Sequence, residues 1–378
     1  MWQELAIYEN EQFPEFFIRN ATDQDDIQLV HLMQETMPSN GMVLSFERKP
    51  SYFNASRTQY TRPDVKLFCL KDQPDQIVGM VNFGVKRVYV NHQIHEIPYV
   101  ADLRLNRNFK GKKIISLMMA FVRSYFPHDQ IFQSVVLEDN QVARNVLHNP
   151  RATNITPYEY DEIATYTVSK VAKPLQRLNF SLKKLDASQI DEVNAFIESM
   201  KQFYNFLPVY NFNELAQGDH PHWRGMQLAD FKLLYLDNEL VAIFGLWNQK
   251  TFKQTIVTKY SLLLKLLRPF YNLYAGITGH ILLPEEKQHF QYLMLHSPLC
   301  DPNRADIFAE LLYQAHLATR DQKQSFCITL AKDDPRNSVM QQTNHHIIRA
   351  RHALHCSAHS PFEVMPKQRI SYFEVGRI

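Results

Sequence analysis

The sequence predicts a mixed α/β protein in which one run of elements occurs twice, and three observations predict it. An apolar strand followed by an amphipathic helix begins near Phe16 and again near Phe180. A hairpin pattern from Lys66 to Gly79 has a counterpart of the same 13-residue spacing from Lys232 to Gly245. Strand, helix and strand patterns then follow each hairpin in the same order. The chain of 378 residues is long enough for two domains.

In the first half, Phe16-Phe17-Ile18-Arg19 reads as a strand. Asp26 opens a helix expected to carry Ile27, Val30, Met33 and Met37 on one face. Residues 66–70 and 77–80, joined by a turn at Asp72 to Asp75, read as a hairpin. Residues 100–105 form a strand, residues 112–125 a helix with Ile115, Met118, Met119 and Val122 on one face, and residues 132–137 a strand. Asn140 then caps a short helix. In the second half, residues 180–183 precede a helix bearing Ile190, Val193, Ile197 and Met200, and residues 232–236 pair with 243–246. Residues 292–295, 305–317 and 326–330 read as strand, helix and strand, with Pro335 at the first position of the next helix. Residues 169–174 are the expected linker, dividing the chain into units 1–170 and 175–378.

Composition narrows the function. Hydrophobic residues at 45% and charged residues at 21% exclude a disordered polyelectrolyte. A net charge of +2 supplies no global field, so no DNA partner is expected. Ten glycines, with no G-x-G-x-x-G, leave no dinucleotide loop. Cys69, Cys300, Cys327 and Cys356 lack C-x-x-C spacing, which argues against a disulfide framework and fits a reducing, cytoplasmic setting. The acidic first dozen residues lack a secretory signal's apolar core, and the apolar stretch 269–284 is short for a membrane span. His345, His346, His352, His355 and His359 cluster around Cys356, but no acidic partner follows in register and no metal is expected. Residues 260–267 set Leu262, Leu263, Leu266 and Leu267 beside Lys259, Lys265 and Arg268, and Pro269 is expected to end them. Three roles fit that stretch: a membrane-surface helix, a lid over an apolar acceptor, or a helix packed at the domain interface. No Ser-His-Asp order, H-E-x-x-H, P-loop or EF-hand pattern is present.

The chemistry-bearing stretch is Leu103-Arg104-Leu105-Asn106-Arg107-Asn108-Phe109-Lys110-Gly111-Lys112-Lys113-Ile114-Ile115-Ser116-Leu117-Met118. An apolar strand end feeds a basic loop and then a helix start, whose unpaired N–H groups and partial positive charge suit a pyrophosphate. Lys110, Lys112 and Lys113 add charged donors there. Residues 135–144, Val-Val-Leu-Glu-Asp-Asn-Gln-Val-Ala-Arg, supply a second strand ending at Asn140.

These two stretches resemble the strand-loop-helix motif and following strand of the Gcn5-related N-acetyltransferase superfamily. The resemblance spans about residues 16–168, with a weaker copy from Phe180 to the end, and tandem folds occur in that superfamily. It implies acetyl-CoA or another acyl-CoA as cosubstrate, held by Leu103, Arg104, Leu105, Lys110, Gly111, Lys112, Lys113, Ile114, Ile115 and Asn140. It further implies acyl transfer to an amine of a small molecule or peptide. Splayed strands in the family bind the pantetheine arm through their backbone.

Departures from the motif matter as well. Lys113 and Ile115 stand where the resemblance places glycine or alanine, Tyr99 stands at the usual glutamate base, and Leu147 at the usual tyrosine acid. Tyr99 is therefore expected to position a water, with Glu96, Asp102 or His148 relaying protons. In the second copy Asp306 and Phe308 replace both glycines, so that half is expected to bind no coenzyme and to shape the acceptor pocket. Two further readings stay open. One is a scaffold that kept the fold and lost catalysis. The other is an aminoacyl-tRNA-dependent transferase in which Arg104, Arg107, Lys110, Lys112 and Lys113 hold RNA phosphates.

Overall fold

A computed structural model describes residues 2–34, 36–39, 41–109, 113–147, 155–174, 179–320, 322 and 324–378. Lys110, Gly111, Lys112 and His148 lie outside the described residues. The first half contributes β1 (Phe16–Asn20), α1 (Asp26–Met33), β2 (Met42–Glu47), α2 (Tyr52–Gln59), β3 (Val65–Leu70), β4 (Ile77–Asn82), β5 (Val85–Val90), β6 (Gln93–Leu105), α3 (Ile114–Tyr125), β7 (Phe132–Leu137), α4 (Gln141–Leu147) and β8 (Thr156–Val171). The second contributes β9 (Phe180–Lys184), α5 (Ile190–Ser199), β10 (Phe231–Leu236), β11 (Glu239–Trp247), β12 (Gln254–Tyr260), α6 (Leu262–Thr278), β13 (Tyr292–Cys300), α7 (Ala305–Arg320), β14 (Ser325–Ala331) and β15 (Thr343–Cys356).

Most strands join one 15-stranded mixed sheet, in the order β1-β3-β4-β6-β7-β15-β8-β14-β13-β11-β10-β9 beside the short edge strand Ala6–Tyr8. The order is palindromic about its centre. Each half runs inward through four antiparallel strands to a parallel pair, β6 with β7 and β13 with β14. At the centre the halves trade places: β15 of the second half pairs with β7 of the first, and β8 of the first pairs with β14 of the second. The repeat in the sequence is thus a repeat in the fold, a tandem α/β arrangement. The expected linker 169–174 begins inside β8, where Lys170 and Val171 pair with Asn344 and Thr343. Two further contacts tie the halves: β2 pairs with β12, and β5 with Leu207–Pro208.

Helix α3 packs because its apolar residues recur at helical spacing. Leu117, Met118, Phe121 and Val122 are buried against Phe68, Val100 and Phe132 of the sheet and Phe83 just after β4. Burying each such side chain contributes about 1.5–3 kcal/mol. In the second half α7 buries Ile307, Phe308, Leu311 and Leu312 against Leu234, Phe244, Leu295 and Phe326 in the same way.

Three local expectations fail for physical reasons. Helix α1 stops at Met33, Ile27 is 72% exposed, and Met37 sits in the strand Thr36–Ser39. Pro38 disfavours helical backbone at the residue before it, so the pattern does not continue. Pro269 does not end α6, which runs on to Thr278 and is capped by Gly279 in the left-handed region. The proline is exposed, and the helix passes it with one backbone bond missing. Pro335 opens a turn, and the short helix Asn337–Met340 starts after Arg336.

The late histidines lie on or after β15, and two of them, His352 and His355, are buried. His352 Nε2 lies 3.2 Å from Gln133 Oε1, and His355 Nε2 lies 2.8 Å from Ser134 Oγ.

Candidate functional site

The ladder between β6 and β7 consists of Tyr99 opposite Gln133 and Val100 opposite Ser134. Beyond those pairs the strands part: the end of β6 stays with β4, and the end of β7 stays with β15. At the parting, Asp102 adopts φ 51°, a left-handed kink that aspartate tolerates better than most residues. Its carboxylate accepts a hydrogen bond from the Tyr52 hydroxyl at 3.0 Å and lies 3.7 Å from the Arg48 guanidinium. Tyr52 is fixed in turn by Asn82, which donates to it at 3.0 Å and to Ser56 at 2.8 Å. Burial, followed by the charge of Asp102, holds the Tyr52 hydroxyl well above its ordinary pKa.

Beneath Asp102 lies a buried polar cluster assembled from both halves. Lys86 of β5 donates to the Arg377 carbonyl at 2.8 Å, and Lys253, just before β12, donates to the Gly376 carbonyl at 3.0 Å. Burial pushes the Lys86 ammonium down to about 7, helped by the positive charge of Arg377. Burial also lowers Lys253 well below the usual lysine range, with Arg48 adding to the effect. Glu374 accepts from the Ser297 N–H at 2.8 Å, Tyr372 at 3.0 Å and Tyr210 at 3.2 Å, yet burial raises its carboxyl to about 7. Arg377 contacts the Thr58 and His222 carbonyls and lies 3.0 Å from His296 Nε2. Burial and the Arg377 charge press both His222 and His296 well below the ordinary histidine pKa. Groups this far displaced, gathered at one cleft, mark a functional-site candidate.

Two spaces adjoin the cluster. A small cavity of about 50 Å³ is lined by Lys86, Tyr99, Gln133, His222, Glu374 and Arg377. A larger one, about 330 Å³, is mostly apolar: Met42, Leu44 and Phe46 of β2, Tyr271 of α6, Leu283 and Phe290 line it above Thr165, Thr167, Met294 and Ile348 of the central strands. Arg48 and Lys253 stand in its wall, joining it to the Asp102 region.

The residues singled out from sequence divide accordingly. Leu103, Arg104 and Leu105 occupy the parting end of β6, where Arg104 pairs with Met80 and Leu105 with Gly79. Lys113 is exposed and left-handed at the start of α3, beside an open hollow lined by Phe16, Leu70, Gln73 and Phe109. Ile114 is core, and Ile115 is partly buried against the same cluster. Asn140 accepts from the Ala143 N–H at 3.1 Å, capping α4 as expected. Tyr99 is buried, its ring centroid 3.5 Å from Lys86 Nζ, and burial raises its hydroxyl pKa. Glu96 is exposed on the β5–β6 hairpin opposite Arg87 and is not brought to Asp102. Gly84 permits the Tyr60 ring to lie against the backbone, since a Cβ there would overlap the ring.

Sequence reading missed Arg48, Lys86, Lys253, Glu374 and Arg377. The available signal was the run Tyr372-Phe373-Glu374-Val375-Gly376-Arg377, in which charged residues sit among aromatic and apolar ones.

The corresponding parting in the second half is filled. β13 and β14 pair through Met294 and Cys327 and then separate. Into that region Arg336, 1% exposed, donates to the Pro298 carbonyl at 2.9 Å while making bidentate contacts of 2.7–3.1 Å with Asp334. Its guanidinium also stacks over Tyr204 and Phe308.

No protein-family model matches the sequence, and no curated protein matches it. Solved structures do match in fold. A Saccharomyces cerevisiae N-myristoyltransferase with bound myristoyl-CoA aligns at TM-score 0.56 and 10% identity, over 94% of this chain and 86% of that one. A second structure of that yeast enzyme aligns at TM-score 0.55 and 10% identity, over 94% and 83%. A GCN5-related N-acetyltransferase from Sphaerobacter thermophilus aligns at TM-score 0.49 and 9% identity, over 90% and 95%. The chain therefore shares the fold of the two yeast N-myristoyltransferase structures.

Proposed function

We propose that the first half binds an acyl-CoA where β6 and β7 part and transfers the acyl group to an amine of a small molecule or peptide. The observation that carries this reading is the parting of the two parallel strands after Tyr99–Gln133 and Val100–Ser134, with a buried carboxylate, Asp102, at the opening. Released strand edges offer backbone groups to an extended pantetheine arm. Lys113 at the start of α3, with Lys110 and Lys112 beside it in sequence, supplies the charge for the coenzyme phosphates. The hollow at Lys113 is open to such a cosubstrate, while Lys113 and Ile115 stand where the resemblance places small residues in the phosphate loop. In the second half, Arg336 already donates to the strand carbonyl that a pantetheine would meet, so we assign coenzyme binding to the first half alone.

In this reading the amine nitrogen attacks the thioester carbonyl, a C–N bond forms, and the C–S bond breaks to release CoA. Asp102 accepts the proton shed by the ammonium, directly or through one water, and Arg48 and Tyr52 hold the carboxylate in place. Tyr99, kept protonated by burial, positions that water. As the tetrahedral adduct collapses, its nitrogen gives up a second proton and the departing sulfur takes it up, leaving as thiol. The apolar cavity of about 330 Å³ receives an apolar chain of the acyl donor or of the acceptor, which makes acyl groups longer than acetyl worth testing beside acetyl.

The test is calorimetric titration with CoA, acetyl-CoA and myristoyl-CoA. Wild type is expected to bind at least one acyl-CoA, and Lys113→Glu to bind it about tenfold or more weakly, since the helix start then repels phosphate. Wild type that binds none of the three refutes the reading.

A further inference from the structure

Helix α6 has a second role beyond packing: we propose that it seats the molecule on an anionic lipid surface. Its outer side presents Leu262, Leu263, Leu266, Phe270, Leu273 and Ile277, with Leu262 77%, Phe270 73% and Ile277 78% exposed. Ala275 is its one buried residue. The inward side is held by Asn272, which exchanges two 2.9 Å hydrogen bonds with the Leu283 backbone. Six large apolar side chains along one face form a patch of a kind that monomeric soluble proteins rarely leave to water.

The occupant follows from charge. Seventeen residues make a rod roughly 25 Å long. The exposed parts of its six large apolar side chains together reach the order of the roughly 800 Å² that each partner brings to a stable protein–protein contact, so area alone does not choose the occupant. A lipid surface is matched by bulky apolar side chains on one face with cations at headgroup level. The cations are present. Lys259, Lys265 and Lys287 are exposed, and Arg268 is half-buried beside them. Lys265 and Arg268 are steered by Glu286 at 3.0 Å and Glu285 at 3.2 Å, which leaves four basic groups against two acidic ones. Lys265, Arg268 and Pro269 within the helix set it on a surface rather than across a bilayer, and among the described residues no helix is long and apolar enough to cross one. The position is also apt, because Tyr271 on the inward side and Leu283 beneath it line the large apolar cavity. Docking there brings that cavity to the level where apolar chains reside.

The inference stands apart from acyl transfer and is tested by binding alone. The full chain is sedimented with vesicles of phosphatidylcholine mixed with phosphatidylserine, and with vesicles of phosphatidylcholine alone. Binding is expected to the mixed vesicles, weaker to the neutral ones, and about 100-fold lower in Leu266→Glu/Phe270→Glu. Both positions are exposed, so the double variant should keep its thermal unfolding curve. As an independent readout, Phe270→Trp should shift its emission to the blue when mixed vesicles are added. No binding by wild type, equal binding to both vesicle types, or binding by the double variant within about threefold of wild type overturns the proposal. A concentration-dependent dimer that the double variant abolishes also overturns it, in favour of a second copy covering the face.

Discussion

Asp102→Asn tests the site most directly, because it changes charge and little else. Asparagine tolerates the φ of 51° at this kink and still accepts from Tyr52. At 3.7 Å from Arg48, the carboxylate attracts the guanidinium by about 4–5 kcal/mol at an effective dielectric near 20. Releasing the carboxylate from its desolvated position offsets much of that, leaving about 1–3 kcal/mol of lost stability. A domain stable by ~5–15 kcal/mol survives this and stays folded at assay temperature. Chemistry should suffer far more. Loss of a positioned general base lowers turnover by about 100- to 10,000-fold. The assay follows CoA release at saturating acyl-CoA with an amine that wild type acylates, alongside titration of the acyl-CoA. Affinity is expected to stay within about threefold while turnover collapses. A variant that binds normally and turns over within about threefold of wild type would refute Asp102 as the base.

Two further outcomes follow from the buried charges. Asp334→Asn strands the Arg336 guanidinium, whose side chain is 2% exposed, and should cost about 3–5 kcal/mol in urea unfolding; a loss under about 1 kcal/mol would show that the pair does not carry that region. Glu374 has a folded pKa of about 7, above its ordinary 4.5, so its share of stability is complete below the usual carboxyl range and is lost as pH rises through about 7. Relative to Glu374→Gln, wild type should therefore lose up to roughly 3 kcal/mol between about pH 4 and pH 8. An unfolding free-energy difference that stays flat across that range contradicts the assignment.

Local patterns were legible in the sequence and distant partnerships were not. The two hairpins announced themselves because β3, β4, β10 and β11 carry near-continuous apolar runs between turn residues. The α3 pattern and the Asn140 cap were readable for the same reason: each depends on residues within a few positions of one another. The central cluster was hidden because Arg48, Lys86, Lys253, Glu374 and Arg377 come from four distant stretches, and a single cation in a strand or loop looks solvated until something is packed on it. Asp102 is a candidate from its place on the strand, whereas its setting depends on Tyr52 and Arg48, about fifty positions earlier. Proline usually ends a helix, so the sequence predicts a stop at Pro269, whereas α6 is long enough to continue on a second set of turns.

The crossing of β15 and β8 at the sheet centre bears on how the chain is made. When β7 and β8 leave the ribosome, the strand that must lie between them, Thr343–Cys356, has not yet been synthesised. At ~5–20 residues per second that strand follows roughly 10–40 s later. Throughout this interval the nascent first half offers three unpaired edges, one of β7 and both of β8, to whatever lies nearby, including the same strands of a neighbouring nascent chain. A trigger for mispairing between polysome neighbours is thereby built into the order of translation, and slowing elongation between Val171 and Thr343 should lower the yield of native protein unless a chaperone shields those edges.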